Sequence, residues 1–206
     1  MKTIKILIAD DHDVMRLGLI ALFDTVSNFE VVAQASDGAE AVKLAMRHKP
    51  DVVIMDLMMP VMDGVTATEK IVKECPGTRV LLLTSFGTSD RIARALDAGA
   101  YGAVLKSSSN DDLIAAIKAV ASGRKAIAGD VKRMMQEDPP IKPLTPRQAE
   151  ILSFVMRGLT NQDIAKALGI RTDSVAQNLT AIFAKLGAAN RAEAITIALR
   201  KQLLQL

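Results

Sequence analysis

The chain of 206 residues has no tryptophan, one tyrosine, one cysteine and two histidines, and aromatic residues make up only 3% of it. A single cysteine, Cys75, cannot close an internal disulfide. With His12 and His48 as the only histidines there is no Cys/His cluster for a zinc site, and a Ser-His or Cys-His hydrolase has little to build on. No apolar run approaches the roughly 18–20 residues of a membrane span. The N-terminal run is cut at Asp10, too early for a signal-peptide core, so the expectation is a cytoplasmic protein with no membrane partner. Half of the chain is hydrophobic, enough for a sizeable core in one or two domains.

Charge is unevenly spread. Residues 1–122 carry 13 Lys/Arg against 16 Asp/Glu, whereas residues 123–206 carry 13 against 7, so the C-terminal part is the one suited to a polyanion. The first 122 residues alternate β-branched runs with amphipathic stretches, the pattern of repeated βα units. Strands are expected at Lys5–Ala9, Val31–Ala35, Val52–Met55, Val80–Leu83 and Ala103–Leu105, with a helix after each, giving a doubly wound five-stranded parallel sheet of the flavodoxin-like kind. Residues 123–143 change character and end in Pro139, Pro140 and Pro143, so they read as a linker. From residue 144 to 206 an all-α domain of four short helices is expected. Thr145-Pro146-Arg147-Gln148 has the form of a capping box, Gly158, Gly169 and Gly187 close helices, and Thr160, Thr172 and Asn190 stand where N-caps belong.

The residues that carry chemistry in the first domain all sit where expected strands end: Asp10 and Asp11, Asp56, Thr84 and Lys106. In an open parallel sheet the crevice beyond the carboxyl ends of the strands binds ligands, so residues scattered in sequence converge there. Three carboxylates crowded together call for a cation, and carboxylate oxygens suit a hard ion such as Mg²⁺. The spacing suggests Asp56 as phosphoryl acceptor, Asp10 and Asp11 as metal ligands, Thr84 as a donor to a phosphoryl oxygen and Lys106 as the neutralising cation.

The runs Ile6-Leu7-Ile8-Ala9-Asp10-Asp11-His12, Asp56 to Gly64, Leu83-Thr84-Ser85 and Leu105-Lys106 resemble the receiver domain of two-component response regulators. The resemblance implies phosphorylation of Asp56 by a sensor histidine kinase, a metal shell completed by the backbone carbonyl of Met58, and an aromatic switch residue, for which Tyr101 is the candidate. Lys106 is followed by Ser107, where many receivers have proline. Two enzyme readings fail on the same residues: a haloacid-dehalogenase-type phosphatase needs an aspartate where Met58 stands, and a dinucleotide site needs a glycine-rich turn where Asp10-Asp11-His12 stands. The expectation is therefore not an enzyme, beyond a receiver's part in its own phosphorylation and dephosphorylation.

Residues 144–199 resemble the LuxR-type helix-turn-helix through Leu144-Thr145-Pro146-Arg147, Gly158 to Ala165, Leu168-Gly169-Ile170 and Ile182 to Gly187, so the whole chain is similar to NarL/FixJ-type response regulators. The resemblance implies a recognition helix beginning near Thr172 that enters the DNA major groove, and a homodimer through the last helix. Candidate DNA contacts are Lys166, Arg171, Thr172, Ser174, Val175, Gln177, Asn178, Lys185 and Arg191. The family commonly places lysines along this helix, whereas from Thr172 to Ala184 this chain has one acid and no base. The function expected is a phosphorylation-dependent, DNA-binding transcription regulator. The alternative is a phosphorylation-gated protein-interaction module with weak or no DNA binding.

Overall fold

In the computed structural model, which describes residues 2–85, 89–142, 144–201 and 203, the chain divides into two units, Met1–Pro139 and Pro140–Leu206. The first unit alternates β1 (Ile4–Ala9), α1 (Asp13–Asp24), β2 (Phe29–Ala35), α2 (Gly38–His48), β3 (Val52–Met55), α3 (Gly64–Glu74), β4 (Arg79–Thr84), α4 (Ser89–Asp97), β5 (Gly102–Leu105) and α5 (Asn110–Ala121). It then adds β6 (Ala126–Ile127) and α6 (Gly129–Glu137). The sheet order is β2-β1-β3-β4-β5-β6, and every neighbouring pair is parallel.

β3 and β5 are uninterrupted apolar tetrads, because helices cover both faces of the sheet. One face packs on α1 and α5 through Leu19, Phe23, Leu113 and Ile117. The other packs on α2, α3, α4 and α6 through Ala41, Ile71, Ile92 and Val131. The order reverses at β1, whose neighbours are β2 on one side and β3 on the other, and this opens the crevice at the carboxyl ends of β1 and β3.

The sheet has six strands where five were expected, and much of the expected linker is folded. Ala126 donates its N–H to Tyr101 O at 2.9 Å and Ala128 to Ala103 O at 3.0 Å, so two residues suffice to cover the β5 edge. Gly102 permits this: a Cβ there would lie 2.1 Å from Ala126 O. α6 then buries Val131 and Met134, one turn apart, against the core. Of the prolines expected in the linker, Pro143 lies outside the described residues.

The second unit holds α7 (Pro146–Met156), α8 (Asn161–Leu168), α9 (Thr172–Leu186) and α10 (Arg191–Arg200) around Ile151, Leu152, Val155, Ile164, Val175, Leu179 and Ile182. Thr145 and Gln148 form a reciprocal capping box, as do Thr160 and Asp163. Asn190 caps α10 through the Glu193 N–H at 2.9 Å. Gly169 and Gly187 end α8 and α9 in the left-handed conformation, where glycine carries no Cβ penalty. Thr172 is not a cap. It is the first residue of α9, and the capping position is taken by Arg171, which makes no side-chain capping bond.

Candidate functional site

Asp10 follows β1, Asp56 follows β3, Thr84 ends β4 and Lys106 follows β5, so adjacent strands deliver four side chains to one end of the sheet. Backbone bonds fix the register: Asp56 N–H donates to Ala9 O at 2.8 Å, and Lys106 N–H to Thr84 O at 2.7 Å. Asp10, Asp56 and Thr84 are buried, while Asp11 is exposed at the rim. Lys106 Nζ stands 2.8 Å from Asp56 Oδ2 and 2.6 Å from Asp10 Oδ2. On the other Asp56 oxygen, Oδ1 accepts the Leu57 N–H at 2.7 Å.

Burial pushes the Asp56 carboxyl above its ordinary range, opposed by Lys106 and reinforced by the negative charge of Asp10. Burial works against the Lys106 ammonium as well, but its contacts with Asp10 and Asp56 outweigh this and hold its pKa above the ordinary value. The loop after Asp56 is stiff. Gly64 N–H donates to Leu57 O at 3.1 Å, and a Cβ on Gly64 would fall 2.0 Å from Asp56 O. Val61 is held at φ 63, a region that β-branched residues rarely occupy, with Met62 N–H on Pro60 O at 2.6 Å.

One ligand atom from each of Asp10, Asp11, His12 and Asp56 lies within 4.8 Å of all the others. Asp10 Oδ2 is buried and faces the Lys106 ammonium at 2.6 Å, and a carboxylate oxygen has a second lone pair for a cation. The donor set is dominated by carboxylates, so the residues fit a hard divalent ion such as Mg²⁺. His12 was not expected here from sequence. Its Nδ1 lies 2.8 Å from Asp11 Oδ1 and 3.2 Å from Asp10 Oδ1, and the Asp-Asp-His run is the signal that carried it. Met58 is 41% exposed beside the site, and its backbone N–H favours the ionised form of Asp56. A cleft of about 420 Å³ lined by His12, Val14, Met15, Gly18, Ser85 and Lys106 gives access.

Tyr101 is not part of this cluster. Its N–H bonds Val80 O at 2.8 Å and its ring lies under the Arg79 guanidinium, 5.4 Å from the ring centroid, at the amino end of β5. Lys106 is at the other end, five residues and about 16 Å of extended chain away. The aromatic cannot turn toward Thr84, and the middle of the strand carries the small, buried Ala103.

In the second unit α8, a tight turn and α9 form the helix-turn-helix. Lys166, Arg171, Thr172 and Gln177 are exposed, and Ser174, Asn178, Lys185 and Arg191 are half-buried. Val175 is removed from the set of DNA contacts: it is 0% exposed, because its position on α9 points into the core with Leu179 and Ile182. Three of the half-buried groups are engaged within the unit. Asn178 Nδ2 donates to Ser174 O at 2.8 Å, Lys185 Nζ to Gln148 Oε1 at 2.8 Å, and Arg191 to Leu159 O and Asn161 Oδ1.

Residues 6–118 match the family model of the response regulator receiver domain, and residues 142–198 match that of bacterial regulatory proteins of the luxR family. The chain belongs to the response regulators. The regulator is 37% identical over 208 residues to the response regulator protein VraR of Staphylococcus aureus, covering 98% of this chain and 100% of VraR. Among solved structures, it is similar to the response regulator ChrA of a heme-sensing two-component system, at 36% identity and a TM-score of 0.60 over 99% of this chain and 100% of ChrA. It is also similar to RcsB in an RcsB–DNA complex, at 25% identity and a TM-score of 0.71 over 97% and 99% of the two chains. The regulator thus pairs a receiver with a luxR-family DNA-binding output unit and acts in transcription regulation.

Proposed function

We propose that the regulator takes a phosphoryl group on Asp56 from a cognate sensor histidine kinase in the cytoplasm and, once phosphorylated, binds DNA as a homodimer. The observation that carries this reading is the convergence of Asp10, Asp56 and Lys106 at the strand ends, with ligand atoms of Asp10, Asp11 and Asp56 close enough together to share a cation. An Asp56 oxygen attacks phosphorus as the bond from phosphorus to the donor breaks. Lys106 neutralises charge on the acceptor side, and the Thr84 hydroxyl donates to a phosphoryl oxygen. Asp10, Asp11, Asp56 and the Met58 carbonyl would hold Mg²⁺, which supplies charge neutralisation at the phosphoryl oxygens when bound.

For DNA, the exposed Lys166 and Arg171 suit phosphates, with Lys185 and Arg191 nearby once their internal bonds exchange. Gln177 is exposed and has the geometry to read adenine, with Thr172, Ser174 and the Asn178 carbonyl as lesser contacts. A second reading is favoured by one observation: the exposed face of α9 has an acid, Asp173, and no base before Lys185, so the output unit would serve a protein partner instead. Titration of mixed-sequence DNA with phosphorylated protein at several salt concentrations separates the two. Salt-dependent binding supports DNA, and no binding at low salt supports the protein partner.

A further inference from the structure

The loop after Lys106 and the first residue of α4 are each hydrogen-bonded to one end of α6. Ser108, two residues past Lys106, donates its hydroxyl to Asp130 Oδ2 in the first turn of the helix. Ser89, five residues past Thr84 and 1% exposed, donates to Asp138 Oδ2 at 3.1 Å, where Asp138 is the residue that ends the helix. Between these points Val131 and Met134 pack into the cluster that contains Ala103, Leu105, Ile92 and Ala95. The helix is therefore held at one end by the loop after Lys106 and at the other by the start of α4, and is seated on β5 between them. Immediately after Asp138 come Pro139 and Pro140, where the first unit ends and the second begins.

The family's usual route, an aromatic side chain moving behind the threonine, is closed here, since Tyr101 stands at the far end of β5 and Ala103 has only a methyl group. We propose that α6 carries the state of Asp56 instead, through a two-point clamp made by Ser108–Asp130 and Ser89–Asp138. With Asp56 unmodified, Lys106 is held by Asp10 and Asp56, and its loop presents Ser108 to Asp130. A phosphoryl group draws Lys106 toward itself, shifts its loop and withdraws Ser108 from Asp130, which leaves the clamp with the Ser89–Asp138 bond alone. The Ser108–Asp130 bond exists in one state only, which is the differential interaction a switch requires. α6 then loosens and releases the Pro139-Pro140 segment. Each hydroxyl bond to a carboxylate is strong enough to shift such an equilibrium by about tenfold. The inference rests on Asp56 being the phosphoacceptor.

The test is amide hydrogen exchange of the full chain, followed by mass spectrometry, with and without beryllium fluoride and Mg²⁺. In wild type, exchange across residues 129–138 should quicken about tenfold when the mimic binds. Ser108→Ala and Ser89→Ala should each quicken it by a similar factor without the mimic, while Ser107→Ala, an exposed neighbour, should not. Ser108→Thr keeps the hydroxyl and should restore wild-type exchange, which separates loss of the bond from general misfolding. Protection of peptides around residues 10 and 56 reports the phosphoryl site independently. If those peptides respond and residues 129–138 do not, or if the alanine variants exchange like wild type, the clamp is wrong. If the peptides around residues 10 and 56 do not respond, the phosphoacceptor reading fails and the proposal falls with it.

Discussion

The Lys106 ammonium bridges Asp56 and Asp10, 2.8 Å from one carboxylate oxygen and 2.6 Å from the other, so one cation balances two buried anions. The excess negative charge has a measurable cost. Because the folded Asp56 pKa is raised, ionising it disfavours the fold. The penalty is absent below its ordinary value of 3.8 and fully present above the raised folded value. Asp56→Asn should therefore be more stable than wild type at neutral pH, by roughly 1–2 kcal/mol or a few degrees in Tm, with the difference vanishing in acid. Mg²⁺ should raise the wild-type Tm and move the variant much less. Thermal unfolding across pH with and without Mg²⁺ checks both.

Replacing the cation tests the same balance from the other side. Lys106→Ala leaves Asp10 and Asp56 without their counter-charge and should lose about 2–3 kcal/mol, part of it recovered by Mg²⁺. It should take up phosphate more slowly yet still do so, while losing the phosphorylation-dependent gain in DNA affinity. A variant that keeps that gain would show that Lys106 does not couple site to output.

The lifetime of the phosphorylated state depends on water reaching phosphorus in line. Met58, two residues beyond Asp56, is expected to flank that approach and cannot orient or deprotonate water; Phe86, two residues beyond Thr84 and expected on the other flank, lies outside the described residues. The aspartyl phosphate should be long-lived, and Met58→Asn or Phe86→Glu should shorten its half-life several-fold. Following loss of the phosphoryl group by mass spectrometry measures this, and an unchanged half-life in both variants would contradict it.

The base-poor face of α9 sets the salt dependence of DNA binding. If DNA binds as proposed, few phosphates per subunit should be neutralised and the slope of log affinity against log salt should be shallow, at roughly −0.9 per phosphate contacted. Ala176→Lys, at an exposed position on that helix, should strengthen binding by about 1 kcal/mol and steepen the slope by about one contact. Gln177→Ala should relax sequence preference and leave the slope alone. A steep slope in wild type would mean that contacts come from elsewhere.

The buried strands were legible because a sheet covered on both faces demands uninterrupted apolar runs such as Val52–Met55, and the reactive residues were legible because they follow those runs directly. β6 was not, since two residues carry no periodicity and the strand exists only because Gly102 lets Ala126 approach. α6 was hidden for a related reason. Its buried face is Val131 and Met134 within a charged stretch that runs into proline, so it reads as linker until the β5 edge is there to cover. Tyr101 misled because the resemblance calls for an aromatic switch residue and Tyr101 is the aromatic next to β5 in the sequence, although it precedes the strand and its N–H bonds Val80 O at the end away from Thr84. Val175 was offered to DNA although its spacing with Leu179, Ile182 and Leu186 is that of a core stripe. The pairs Ser108–Asp130 and Ser89–Asp138 join residues 22 and 49 positions apart, beyond the reach of any local pattern.

The most direct measurement is to incubate the full chain with acetyl phosphate and Mg²⁺ and count phosphoryl groups by intact mass, then map the modified peptide. One phosphoryl group per chain, located on Asp56, absent when Mg²⁺ is chelated and absent in Asp56→Asn, is the result expected. Uptake by Asp56→Asn equal to wild type, or uptake indifferent to Mg²⁺, would contradict the account.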